Sequence, residues 1–167
     1  MKNPGIIFLS FYLIVAWNSL IAQGADPQLY LDKGNAHFNE AEFDSAIKDY
    51  SEALSINPNF AEAYYNRAQA YYKREKFDEA IGDYSKAMEL KINDAEIYHL
   101  RGLAYYKKGR YSDVIEDETK AVALKPDFAA AYHNRGVAYA KKGQHDAAIE
   151  DYNKALGILP NYGDAYF

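Results

Sequence analysis

Two columns of opposite charge run through the chain at a spacing of 34 residues: Lys33, Arg67, Arg101 and Arg135, and then Asp49, Asp83, Asp117 and Asp151, each 16 residues further on. Guanidinium and carboxylate groups in register suit bidentate ion pairs, and the pattern reads first as structural pairing. Arg67 has two candidate partners, Asp83 in its own unit and Asp49 in the unit before. The other chemistry open to such a row is anion binding. Of the four histidines, His99 and His133 hold equivalent positions in adjacent units, but no third ligand accompanies them, so a metal site is not expected. His37 and His145 replace aromatic residues and read as packed or hydrogen-bonded. Glu118 stands where the other units have Tyr50, Tyr84 and Tyr152. A carboxylate there must reach solvent, find a cation or weaken its unit. No nucleophile with a matching base, phosphate loop or metal-ligand spacing occurs, which points to a non-catalytic chain with no cofactor and no metal.

The elements that position these side chains follow from the same period. The unit AYYNRAQAYYKREKFDEAIGDYSKAMEL, beginning at Ala61, has counterparts beginning at Pro27, Ala95 and Ala129. Self-similarity at this period marks a repeat array, here with units at 27–60, 61–94, 95–128 and 129–162, and the start of a fifth at 163–167. Each unit reads as helix, short turn and helix. Small residues recur at Gly34, Ala68, Gly102 and Gly136 in the first helix, and at Ala46, Ala80, Val114, Ala148 and Ala53, Ala87, Ala121, Ala155 in the second. Such columns let helix axes approach closely. Tyr30, Tyr64, Tyr98 and Tyr132, with His37, Tyr71, Tyr105 and Tyr139, and then Phe43, Phe77, Tyr111 and His145, supply the bulk around them and read as core. Gly109 and Gly143 are placed for left-handed C-terminal caps, with Ala41 and Glu75 in the same position. Asp44, Asp78, Ser112 and Asp146 are expected to cap the second helices. Pro58, Pro126 and Pro160 end those helices, and Ile92 in that column predicts a softer break after the second unit.

The chain has 167 residues, a net charge of −5 and no cysteine. The acidic balance argues against nucleic acid as a partner, and the missing thiols exclude disulfides, thiolate metal sites and a cysteine nucleophile. No Asn-x-Ser/Thr acceptor occurs. Residues 1–24 differ from the rest: Lys2 precedes the apolar run Ile6 to Trp17, and the small residues Ala22 and Gly24 follow. This is the pattern of a secretory signal peptide, with an uncleaved membrane anchor as the alternative. Either places the repeats in a secreted or periplasmic location, in the second case on a membrane tether.

The aromatic, Gly/Ala, Tyr, Ala, aromatic, Ala and Pro columns together resemble the tetratricopeptide repeat family over the four units. The resemblance implies an all-α, right-handed superhelical solenoid of antiparallel helix pairs, whose first helices line a concave groove that holds peptide segments of partner proteins. On that pattern the groove residues are Gln28, Leu31, Asn35, Phe38 and Asn39; Glu62, Tyr65, Asn66, Gln69, Tyr72 and Lys73; Glu96, His99, Leu103, Tyr106 and Lys107; and Ala130, His133, Asn134, Val137, Ala140 and Lys141. Tyr65, His99 and His133 continue one stripe, Phe38, Tyr72 and Tyr106 another, and Lys73, Lys107 and Lys141 form a basic edge. Such a surface suits an extended peptide bearing acidic or C-terminal carboxylate groups. Asn66 and Asn134 resemble the asparagine ladders of some peptide-binding members, which Asp32 and Leu100 interrupt here. The carboxylate clamp of the heat-shock co-chaperones falls on Leu31, Asn35, Asn66, Glu96 and Leu100; its three cations are missing, and that function is rejected. The expectation is a protein-binding scaffold outside the cytoplasm. The alternatives are the repeat region of a longer enzyme or signalling protein, and self-association through the last repeat.

Overall fold

Residues 26–160 are described by a computed structural model. The expected signal peptide or anchor at 1–24 and the expected start of a fifth unit at 163–167 lie outside the described residues. Small and apolar side chains at helical spacing, interrupted by a single left-handed residue, fold each unit into a helical hairpin. The helices are α1 Pro27–Asn39, α2 Phe43–Ile56, α3 Ala61–Lys73, α4 Phe77–Glu89, α5 Ala95–Lys107, α6 Tyr111–Leu124, α7 Ala129–Lys141 and α8 His145–Ile158. They form an all-α, right-handed superhelical solenoid, with α1/α2, α3/α4, α5/α6 and α7/α8 as successive pairs joined through α2–α3, α4–α5 and α6–α7.

The hairpin turns depend on backbone handedness. Ala41, Glu75, Gly109 and Gly143 have φ of 60, 58, 70 and 74°. The next N–H then reaches back five residues, Glu42 to the His37 carbonyl at 2.8 Å, Lys76 to Tyr71 at 2.9 Å, Arg110 to Tyr105 at 3.0 Å and Gln144 to Tyr139 at 2.9 Å. This is the Schellman closure. Alanine and glutamate accept the strain there because the packed helices on either side fix the turn.

The second helices start two residues earlier than capping by their Asp and Ser residues would place them. Glu42, Lys76, Arg110 and Gln144 are the cap residues and make no side-chain cap bond. Asp44, Asp78 and Ser112 tie one repeat to the next instead: Arg74 Nε donates to Asp44 at 2.9 Å, Lys108 Nζ to Asp78 at 2.8 Å and Lys142 Nζ to Ser112 at 2.8 Å. The side-chain caps are Asp26, on the Gln28 N–H, and Asp94, on the Ile97 N–H, both at 2.9 Å. Asp94 belongs to the one junction without proline. There Lys91 takes φ 78° and the Ile92 N–H returns to Ala87 at 3.1 Å, so a capped turn replaces the expected soft break.

The core is a column of small residues filled by large ones. Ala46, Ala53, Ala63, Ala68, Ala70, Ala80 and Ala87 are fully buried, with Leu31, Tyr50, Tyr84, Ile97 and Val114 among them. Tyr30, Tyr64, Tyr98 and Tyr132, expected inside, pack against this core while staying half-buried. Their outer faces flank the charged column, Arg67 lying 5.5 Å from the Tyr64 ring centre and Arg135 5.4 Å from Tyr132.

Candidate functional site

The first helices α1, α3, α5 and α7 touch their counterparts in the next repeat, so they lie on the inner side of the curve. Against them sits one column of the second helices: Tyr50, Tyr84, Glu118 and Tyr152. Each faces the small residue of its own first helix. A Cβ on Gly34 would run into the Tyr50 ring, one on Gly136 would meet Tyr152 Cε1 at 2.8 Å, and one on Gly102 would meet Glu118 Oε1 at 3.1 Å. The close approach threads each of these side chains past the first helix, toward the concave face.

What each polar head meets there differs. Tyr50, 1% exposed, donates its hydroxyl to Asn35 Oδ1 at 2.9 Å, and Asn66 Nδ2 donates to the same oxygen at 2.9 Å. Burial, with Asp49 and Glu62 nearby, pushes the Tyr50 phenol up to about 12, so it remains a donor. Burial raises Tyr84 further, and the Tyr65 ring stands edge-on to it at 6.0 Å. In the third repeat Glu118 is 0% exposed and bonds His99 Nδ1 at 3.0 and 3.1 Å. Burial pushes the Glu118 carboxyl up to about 7, against the opposing pull of His99 and Asn134. The Phe128 ring covers His99 at 4.8 Å. In the fourth repeat Tyr152 lies 5.8 Å from the His133 ring.

Two depressions on this face gather residues from successive repeats. One of about 330 Å³ is lined by Asn35, Phe38, Asn39, Tyr50, Asn66 and Gln69. The other, about 430 Å³, is lined by Tyr72, Lys73, Glu75, Phe77 and Lys107. A third space of about 570 Å³ opens beside Phe60, Tyr65 and Ile92 at the junction without proline.

The structure thus brings Asn66 and Gln69 together at one end of the groove, and Tyr72, Lys73 and Lys107 further along. Tyr106 is half-buried with its ring 5.8 Å from Tyr111, as Tyr72 is 5.4 Å from Phe77 and Phe38 5.4 Å from Phe43. Lys141 is exposed, and His133 and Asn134 are half-buried with 3.4 Å between His133 Nδ1 and Asn134 Oδ1. Two expectations change. Leu31 is fully buried, and His99 is 8% exposed, committed to Glu118 beneath the surface. Among the described residues no group of three or more His, Cys, Asp and Glu side chains is placed to hold a metal. Tyr50, outside the expected groove residues, lines the first depression; its signal in the sequence is the small residue 16 positions earlier in each repeat.

The arginine column is used within the fold. Arg67 grips Asp83 through Nε at 2.7 Å and Nη2 at 2.9 Å, and its Nη1 reaches Ser51 of the preceding repeat at 2.9 Å. Arg101 repeats this with Asp117 and Ser85, all at 2.8 Å, and Arg135 with Asp151 at 2.7–2.8 Å and Thr119 at 3.1 Å. The pairing is within the repeat, and the third nitrogen stitches the repeats together. The first repeat departs: Lys33 lies over the Tyr30 ring at 5.2 Å, and Asp49 is held by His37 Nδ1 at 2.7 Å.

Stacked helical hairpins with an inner groove define a helical-repeat solenoid. The chain belongs to the tetratricopeptide repeat family. Models described as TPR repeat match residues 34–74 and 68–109, and models described as tetratricopeptide repeat match 95–128 and 129–162. Among solved structures, a crystal structure of MamA protein is 31% identical with TM-score 0.79, over 84% of this chain and 76% of that one. A second MamA crystal structure is 27% identical with TM-score 0.79, over 88% and 86%. The Arabidopsis OM64 TPR domain is 28% identical with TM-score 0.65, over 68% and 94%. Comparison with curated protein sequences gave no match. No helix among the described residues is long and apolar enough to cross a membrane.

Proposed function

We propose that this chain is a non-catalytic scaffold that holds extended peptide segments of partner proteins along the concave face of α1, α3, α5 and α7. The observation that carries the reading is the shared depression in which half-buried Tyr72 and Phe77 meet exposed Lys73 and Lys107 from the next repeat. Aromatic walls supply apolar contact and the lysine edge supplies long-range attraction for acidic side chains. The preformed helical walls keep the ordering cost of binding on the peptide. The acidic net charge disfavours nucleic acid as the ligand.

The test is selection of a random peptide library on the intact chain, followed by titration. Selected peptides should carry acidic residues, bind more weakly as salt rises, and lose affinity on Tyr72→Ala with Tyr106→Ala while the helical circular dichroism persists. Failure to select any peptide, or full affinity in the double variant, would remove the groove from consideration.

The apolar run after Lys2, ending at the small residues Ala22 and Gly24, supports a location outside the cytoplasm, secreted, periplasmic or membrane-tethered. Cell fractionation with N-terminal sequencing of the mature protein tests this, and a cytoplasmic protein starting at Met1 would refute it.

A second reading, self-association, has its own observation. Ile149 and Leu156 on α8 are 57% and 45% exposed, whereas among the counterparts of Leu156 in the earlier repeats Leu54 and Val122 are buried and Met88 is half-buried. At the other end Leu29 is 50% exposed, while its counterparts Ala63, Ile97 and Ala131 are fully buried. An end-to-end contact would cover both surfaces.

A further inference from the structure

The depression between the first two repeats has a hydrogen-bonding pattern that selects among ligands. Asn35 Oδ1 receives the Tyr50 hydroxyl and Asn66 Nδ2, both at 2.9 Å. Two donors use both lone pairs of that oxygen and fix which way round the amide sits. The Asn35 amino group makes no bond of its own within the described residues, and since no buried side-chain nitrogen or oxygen is left without a partner, it is open to solvent. Asn66 has given one N–H inward and keeps Oδ1 as an acceptor and its second N–H as a donor. The locked network therefore offers a donor from Asn35 beside an acceptor from Asn66, with the amides of Asn39 and Gln69 around them and the rings of Phe38 and Tyr50 as apolar walls.

No charged side chain lines this space. The nearest ionised groups acting on Tyr50 are Asp49 and Glu62, both acidic, and Leu31, Glu96 and Leu100 bring no cation. A carboxylate could accept from the free N–H groups but would leave the Asn66 oxygen without a donor, with no cation beside it and Asp49 and Glu62 nearby. An ammonium group, which only donates, would oppose the Asn35 amide N–H. A primary carboxamide presents C=O and N–H along one edge and matches the pair, whereas a trans peptide group turns the two to opposite sides. The floor of the depression is the buried Tyr50 ring, and about 330 Å³ accommodates a side chain entering from a peptide that passes over it.

We propose that this pocket is a binding site for a neutral carboxamide, the side chain of a glutamine or asparagine in an extended peptide, recognised by Asn35 and Asn66. The inference rests on the reading of the concave face as a peptide groove and adds the chemistry of one subsite. Tyr50 is a positioning residue: it touches Asn35 and sets which of its atoms faces the ligand.

The experiment takes the peptides selected from the random library on the intact chain and scores residue frequency at each position. Glutamine and asparagine should be enriched at one fixed position. Replacing that residue by glutamate, or by methionine of similar size, should each lower affinity by about tenfold or more. Tyr50→Phe frees the Asn35 amide to turn while preserving the ring that fills the core. It should abolish the discrimination between glutamine and glutamate while leaving the unfolding transition in place. Peptides that bind with no amide preference, a preference for an acidic residue at that position, or unchanged discrimination in Tyr50→Phe would each overturn the carboxamide site while the groove itself stands. Asn35→Leu weakening every peptide equally would assign the asparagines to main-chain contacts and overturn it as well. A library that yields no binders removes the groove and this site together.

Discussion

His99 Nδ1 stands 3.0 Å from Oε1 and 3.1 Å from Oε2 of Glu118, a residue with no exposed surface. Asn134 in the next repeat also favours the ionised carboxylate, and Asp117 lies close enough to disfavour it. Its folded pKa of about 7 lies above the ordinary 4.5. The folded state therefore binds the proton more tightly than the unfolded state. The stability this contributes is fully present below about pH 4.5 and is lost as the pH rises through about 7. Thermal and urea denaturation should show repeats three and four weakening between pH 5 and pH 8, by at most roughly 3 kcal/mol. Glu118→Gln should flatten the profile; an unchanged slope in that variant would assign the pH dependence elsewhere.

Glu118→Tyr should stabilise the chain at pH 8. The fourth repeat already holds the arrangement this change would create, with His133, Gly136 and Tyr152 in the columns of His99, Gly102 and Glu118. A ring in this slot replaces a buried carboxyl group with apolar surface, and the glycine opposite leaves the space. Urea midpoints of the variant and the parent at pH 8 decide the matter, and a lower midpoint in the variant would contradict it.

Arg101→Ala should destabilise by roughly 3–5 kcal/mol, because it strands a buried carboxylate without its partner. Asp117 is 1% exposed, and burial raises its pKa while Arg101 opposes the rise. Replacing Arg101 and Asp117 together by methionine and leucine should recover most of the loss. Equal losses in the single and double variants, measured by urea denaturation, would show that the pair itself is not the source.

Gly34→Ala and Gly82→Ala should move stability in opposite directions. The new methyl group meets the Tyr50 ring at Gly34, whereas nothing lies within 4 Å at Gly82, an exposed helical position. We expect a loss of about 1–3 kcal/mol at the first and a gain of about 0.5–1 kcal/mol at the second. Unfolding midpoints of the two variants are the measurement, and a stable Gly34→Ala protein would mean that Tyr50 has room to retreat.

Glu40→Lys should strengthen end-to-end association. Glu40 occupies the column of Arg74, Lys108 and Lys142, each of which ties its repeat to the one before. In an end-to-end contact Glu40 would face Asp146 of a second copy, two like charges where the interior junctions have a cation on Asp or Ser. The natural protein should thus associate weakly, more at high salt than at low salt. Sedimentation velocity across a concentration series should show the Glu40→Lys dimer constant tighten. A variant that stays as monomeric as its parent at all concentrations would argue against this face.

The sequence by itself determined the helical pairs, their order and most of the small residues between them, because a period of 34 residues repeats the same packing problem and its columns record the answer. Gly109 and Gly143 announced left-handed turns, and the arginine and aspartate columns announced ion pairs. What the columns could not say is which atoms meet across helices. Whether Arg67 takes Asp83 or Asp49, whether Asp44 caps its own helix or holds Arg74, and whether His99 faces the groove or lies beneath it all depend on distances of a few ångströms set by stacking. The asparagine network shows this most plainly: Asn35 and Asn66 are 31 residues apart in sequence, and only the stacking of repeats brings both to one oxygen with the Tyr50 hydroxyl. Periodicity assigns a residue to a face; hydrogen-bond geometry assigns it a partner, and that is a tertiary property.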